Sequence, residues 1–193
     1  MVVINNRNNP WKKLVIIFLG FIVLSIGFGC IIRSLLAHYH IPTNIPAWTA
    51  LLIVFGILVV VNLSVLPIPF GISIMLVAAA HWNLILVALF GSLGACLGEF
   101  SGYIFGYLGK RISIDEKMLG YKTIHGWIMK YGMWAIAFLS FQPIIPFEIG
   151  GFIAGVAKMP VRRFLPALWI GKFPKYIILI YLGNTLMHLI PFS

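Results

Sequence analysis

Four charged residues stand in stretches otherwise built largely of apolar side chains. Glu99 lies in "GEFSGYIFGYLG" (98–109), Glu148 in "SFQPIIPFEIGG" (140–151), and Lys172 and Lys175 in "GKFPKYIILIYLG" (171–183). A carboxylate held between burial, which favours its neutral form, and a nearby cation, which favours its charged form, is poised to exchange protons. It also attracts an ammonium, as a lysine attracts a phosphate. An ionisable side chain in hydrocarbon costs roughly 2.5–3.5 kcal/mol on insertion scales, so it is expected to face an interior cavity or a partner. Glu99 and Lys172 hold equivalent places 73 positions apart, and Lys175 follows Lys172 by one helical turn. Together with Glu148 they form a candidate pairing network. The alternative for Lys172 and Lys175 is to snorkel toward the headgroups. Gln142 either bonds freed backbone or touches a headgroup.

The elements that must position these residues are membrane helices. The chain has 193 residues, 61% of them hydrophobic and 9% charged. A soluble domain carries about 25% charged residues. No Asp, Glu, Lys or Arg occurs between Arg33 and Glu99, a run too long for a soluble core element. The apolar run from Leu14 to Ile32 is long enough to span and reads as a retained first transmembrane helix rather than a cleaved signal. Basic residues cluster at 7–13, 110–130 and 158–163, and these three clusters hold 11 of the 14 cations. Cytoplasmic loops collect Lys and Arg, which makes the N-terminus cytoplasmic. The segment His38 to Ala47 and the tail after Tyr176 suit the outside.

Straight helices then fail to account for the second half. A path from Gly109 inside to Lys158 inside needs an even number of crossings. Tyr131 to Ala157 is too short for two spans of about 20 residues and is broken at Pro143 and Pro146. A re-entrant hairpin with its tip at these prolines resolves this, because proline removes backbone donors and pushes the preceding residue out of the α region. Upstream, "SVLPIPFGIS" (64–73) repeats the proline–Phe pattern around Pro67 and Pro69. Gly98 and Gly171, Phe100 and Phe173, and Tyr103 and Tyr176 share the 73-residue spacing. The expected fold is an all-α integral membrane protein: an inverted repeat of two re-entrant hairpins, each followed by a spanning helix, plus the N-terminal helix. Inverted repeats with broken helices meeting near the midplane are a common construction of secondary transporters.

Other chemistry finds no support in the residues. No Ser/His/acid set, phosphate-cradling Gly loop or HExxH stretch occurs, so no enzyme activity, cofactor or metal is expected. Cys30 and Cys96 read as small buried hydrophobes, and His81 and His125 as interfacial residues. Trp48, Trp82 and Trp127 fit interface anchors. The basic, apolar-striped segment of about 111–130 reads as a helix lying on the inner leaflet. The net charge of +10 brackets membrane segments and speaks for anionic lipid, not nucleic acid.

"PIPFGIS", "GSLGACLGEFSGYIFGYLGK" and "FLSFQPIIPFEIGGFIAGVAKMPVRRFLPALWIGKFPKY" together resemble the DedA / VTT-domain superfamily, also called SNARE-associated Golgi proteins, over roughly residues 60–183. The resemblance implies a lipid scramblase or flippase of the cell membrane, acting on a phospholipid or a polyprenyl phosphate, with protons as a possible coupling ion. Many relatives carry an Arg shortly before the first proline of the second hairpin, where this chain has Ser140, Phe141 and Gln142. The other reading left open is a proton-coupled secondary transporter of a small solute or ion. The division expected is 1–36 for the basic segment and first helix and 37–193 for the membrane domain. Its first repeat covers about 48–109 and its second about 131–187. Nothing in the residues sets an oligomeric state. Single cysteines introduced at His125 and Pro160 are expected to label from one side of the membrane, and one at Asn44 from the other. Opposite sidedness for 125 and 160 would remove the second re-entrant hairpin.

Overall fold

The computed structural model describes residues 45–63, 70–109, 121–142 and 147–189, with scattered helical positions between 20 and 34. The described residues contain helices and turns and no strand. Seven helices follow in order: α1 (Ala47–Leu63), α2 (Phe70–Ala79), α3 (Leu84–Leu108), α4 (Tyr121–Tyr131), α5 (Met133–Phe141), α6 (Phe147–Val156) and α7 (Val161–Leu189). The all-helical class expected from the sequence holds. The remainder of the N-terminal helix, the first part of the segment at 111–130, and Pro67, Pro69, Pro143 and Pro146 lie outside the described residues.

Among the described residues, two helices are long and apolar enough to cross a membrane, Leu84–Leu108 and Val161–Leu186. At 1.5 Å per residue, α3 is roughly 37 Å long, against about 30 Å of hydrocarbon. By contrast α2, α5 and α6 hold 10, 9 and 10 residues, about 15 Å each. None of these three can cross alone.

Local chemistry sets the element ends. The Asn83 side chain accepts from the N–H groups of Ile85 at 2.9 Å and Leu86 at 3.3 Å, which starts α3 at Leu84 by satisfying two orphan donors. Gly132, with φ +56°, turns the chain between α4 and α5 at no side-chain cost. Helix α6 ends in a Schellman turn. Lys158 N–H donates to Gly155 O at 2.9 Å, and Met159 N–H donates to Ala154 O at 3.0 Å. Lys158 takes the left-handed position, φ +52°, where glycine is usual and a side chain costs about 1 kcal/mol.

Packing joins the elements in a crossed pattern. Helix α1 packs mainly on α3, and α5 mainly on α7. The second arms cross over: α6 packs on α3, and α2 touches α7, while α3 and α7 pack on each other. Two apolar clusters result. One gathers Leu51, Leu58, Met75 and Val87 with Tyr176 and Ile180. The other gathers Tyr103, Ile136, Leu139 and Ile153 with Phe164 and Leu168. Helix α3 passes from the first cluster to the second along the chain, and α7 from the second to the first, so the two long helices run in opposite senses.

Glycines bring backbones together where these helices cross. A Cβ on Gly98 would sit 2.5 Å from Val59 O and 2.8 Å from Asn62 Cβ on α1; one on Gly171 would strike Ala137 O and Ser140 Oγ on α5. Gly106 faces Phe152 O and Gly155 faces Tyr103 O in the same way across α3 and α6. The motif "AGVAKM" is thereby accounted for. Ala154 and Met159 close the turn, and Gly155 admits the α3 backbone. Gly171→Ala is expected to destabilise the protein by roughly 1–3 kcal/mol through overpacking. Gly56→Ala, whose Cβ would meet nothing within 4 Å, is expected to stabilise α1 by about 0.5–1 kcal/mol. Thermal unfolding in detergent reads both, and the opposite signs are the test.

Candidate functional site

Glu99 follows Gly98 on α3, and Lys172 follows Gly171 on α7. One residue of helix rotates the side-chain direction by about 100°. Each glycine therefore takes the close contact with a hairpin arm while the next residue turns toward the other long helix. The two side chains meet: Lys172 Nζ donates to Glu99 Oε1 at 2.5 Å. Glu99 is 8% exposed and Lys172 2%, so Lys172 does not snorkel. The pair sits at the seam between the two apolar clusters.

The pair is held unevenly. Lys172 Nζ also lies 5.6 Å from the centre of the Tyr176 ring, within cation–π range. Lys175 Nζ approaches the same ring at 5.8 Å, which leaves the buried Tyr176 between two ammonium groups. Glu99 Oε2, in contrast, is buried without a hydrogen-bond partner among the described residues. A buried polar atom without a partner is uncommon and costly. Around the pair, polar ties lock the helices. Trp169 Nε1 donates to Ser92 Oγ at 3.1 Å, joining α7 to α3. The Ser140 hydroxyl is shared between Ala137 O at 3.0 Å and Leu168 O at 3.1 Å, joining α5 to α7. Tyr103 OH donates to Met159 O at 2.5 Å, joining α3 to the turn before α7.

The remaining sequence candidates divide as follows. Gln142 caps α5: its side-chain Nε2 donates to Leu139 O at 3.1 Å, the backbone alternative of the two expected for it. Glu148 belongs to the first turn of α6, and its side chain lies outside the described residues. Lys175 is half-buried and shares the Tyr176 ring with Lys172. Trp48 and Trp127 are exposed, as interface anchors would be, and Trp82 is half-buried in the turn before α3. Cys96 is buried and free. Ser140, one of the residues standing near the relatives' Arg, is fully buried against Gly171. The packing at that position leaves no room for a longer side chain. Sequence reasoning took Tyr176 only as a repeat position and Ser140 only as a departure from the relatives' Arg, and did not reach Trp169 or Ser92. Tyr176 was findable, because it lies four residues after Lys172 and shares its helix face. Trp169 and Ser92 meet only through the α3–α7 crossing.

The sequence pattern of a known family, described as VTT domain, matches residues 41–185. No curated protein and no solved structure matches the chain.

Breaking a buried ion pair from one side leaves an uncompensated charge and costs about 3–5 kcal/mol, whereas replacing both members by similar volumes is often neutral. Lys172→Met alone is therefore expected to lower stability by about that amount. Glu99→Gln with Lys172→Met is expected to restore most of it. A double-mutant cycle on thermal unfolding measures the coupling.

Proposed function

The chain belongs to the VTT-domain family, the DedA and SNARE-associated Golgi proteins, and from that membership we propose that it is a membrane lipid translocator. It moves the headgroup of a phospholipid or polyprenyl phosphate between leaflets while the tails stay in lipid. The observation that carries this reading is the Glu99–Lys172 pair with its unpartnered Oε2. A paired carboxylate and ammonium at the crossing of two long helices match the two charges of a zwitterionic headgroup: the carboxylate attracts an ammonium and Lys172 a phosphate.

The architecture supports an inverted repeat as the frame for this work. Two short arms followed by a long helix occur twice. The contact of α1 with α3 is matched by that of α5 with α7, and the crossing of α6 onto α3 by that of α2 onto α7. Gly98 against Val59 and Asn62 is matched by Gly171 against Ala137 and Ser140. The opposite running of α3 and α7 fits repeats of opposite orientation. The arms α2, α5 and α6, about half a membrane thick, fit hairpins that enter and leave on one side, with Pro67, Pro69, Pro143 and Pro146 at the tips. Gln142, Glu148 and Lys175 are then the further polar groups on the headgroup path.

Vesicles containing the purified protein and a fluorescent-headgroup phospholipid test the proposal with a leaflet-selective quencher. The protein is expected to speed loss of the protected fraction over protein-free vesicles. The double variant Glu99→Gln/Lys172→Met, which keeps its fold, is expected to slow it at least tenfold, and Glu148→Gln to slow it as well. Parental protein that leaves lipid movement at the protein-free rate would discard lipid translocation. A fully active double variant would discard the pair as its site.

A further inference from the structure

At the far end of α3 from Asn83, the chain builds a second feature that the ion pair does not use. An open groove of about 560 Å³ runs between the last turns of α3 and the turn that opens α7. Its walls include Ile104, Tyr107 and Leu108 on one side and Lys158, Pro160 and Val161 on the other. The volume falls within the range of about 300–1,000 Å³ typical of ligand clefts. Phe100, Tyr103 and Tyr107 stack along α3, with ring centres 5.4 and 6.1 Å apart, and give the groove a continuous apolar wall.

The rim is cationic. Lys158, Arg162 and Arg163 are exposed within six residues of one another. Lys110 and Arg111 follow in the chain directly after α3 ends. Lys158 is the cation that lines the groove, at the turn that opens α7. Lys158 is the residue held at φ +52°, a conformation most side chains avoid and glycine adopts freely. A lysine kept where backbone geometry favours glycine points to a need for its charge.

We propose that this groove binds one anionic phospholipid of the adjoining leaflet, its phosphate at Lys158 and one acyl chain along Ile104, Tyr107 and Leu108. The apolar wall excludes a free phosphate as the main ligand, and the cationic rim favours an anionic over a zwitterionic headgroup. The groove wall starts at Phe100, beside Glu99 on α3, and the proposed acyl contacts lie about one and a half to two and a half turns further on; the proposal does not rest on lipid translocation.

Native mass spectrometry of the delipidated full chain, titrated with phosphatidylglycerol or with phosphatidylcholine of the same tails, reads the proposal. One saturable phosphatidylglycerol adduct is expected, at least fivefold tighter than that of phosphatidylcholine. Lys158→Asn suits the left-handed backbone, so the protein is expected to elute unchanged in gel filtration while its phosphatidylglycerol binding falls to the phosphatidylcholine level. Lys158→Gly, which fits the turn better still, should do the same, and Lys158→Arg should retain binding. Leu108→Trp fills the groove from an exposed position and should weaken the adduct with every cation intact. Equal binding of the two lipids, or full binding by both neutral Lys158 variants, would overturn the site. Displacement of the lipid by glycerol 1-phosphate, or indifference to Leu108→Trp, would also overturn it, as marks of a simple anion site.

Discussion

A charge inside hydrocarbon needs a partner, and the contact between Lys172 Nζ and Glu99 Oε1 meets that need for both groups at once. Its consequences spread outward. The two helices must cross at one height, with Gly98 and Gly171 beside the charges, so that the arms α1 and α5 close on the crossing from either flank. The pair also sets the boundary between the two apolar clusters, because no apolar side chain can replace the ions at the seam without leaving one of them bare.

The close backbone contacts follow from the solvent. Lipid is as apolar as leucine, so burying leucine does not drive helices together there; small residues that let backbones approach do. Gly106 against Phe152 and Gly155 against Tyr103 place α6 on α3 at backbone distance. The hydroxyls of Tyr103 and Ser140 and the indole N–H of Trp169 then find acceptors across helices. Helix α7 continues through Pro166 and Pro174, each of which removes a donor from the intrahelical ladder. These cross-helix bonds hold the helix where its own ladder is interrupted.

Much of this was legible in the sequence, because membrane physics leaves few options. The charge-free run from Arg33 to Glu99 called for spanning helices. The equal spacing of Gly98/Gly171 and Glu99/Lys172 marked the crossing and the pair. The prolines set off α2, α5 and α6, which are too short to cross. What stayed hidden depends on three dimensions. Nothing in one dimension brings Trp169 to Ser92, or sets Lys158 in a left-handed turn opposite Tyr107. Lys172 had two sequence readings, a buried partner or a snorkelling cation, and only the crossing angle of α3 and α7 decides between them.

The lipid groove and the ion pair share their supports. Tyr103 lies one turn beyond Glu99 on α3, lines the groove, and donates to Met159 in the turn that starts α7. Lys172 lies on that same helix, about three turns further on. The spacing between the end of α3 and the start of α7 therefore enters the geometry of both sites. An ammonium–carboxylate contact weakens steeply as it lengthens, while an open apolar groove tolerates a change of width. A movement of α7 against α3 would thus be felt first at the pair. The Tyr103–Met159 bond ties the two helices at the groove end, while among the described residues Glu99 Oε2 has no hydrogen-bond partner at the seam.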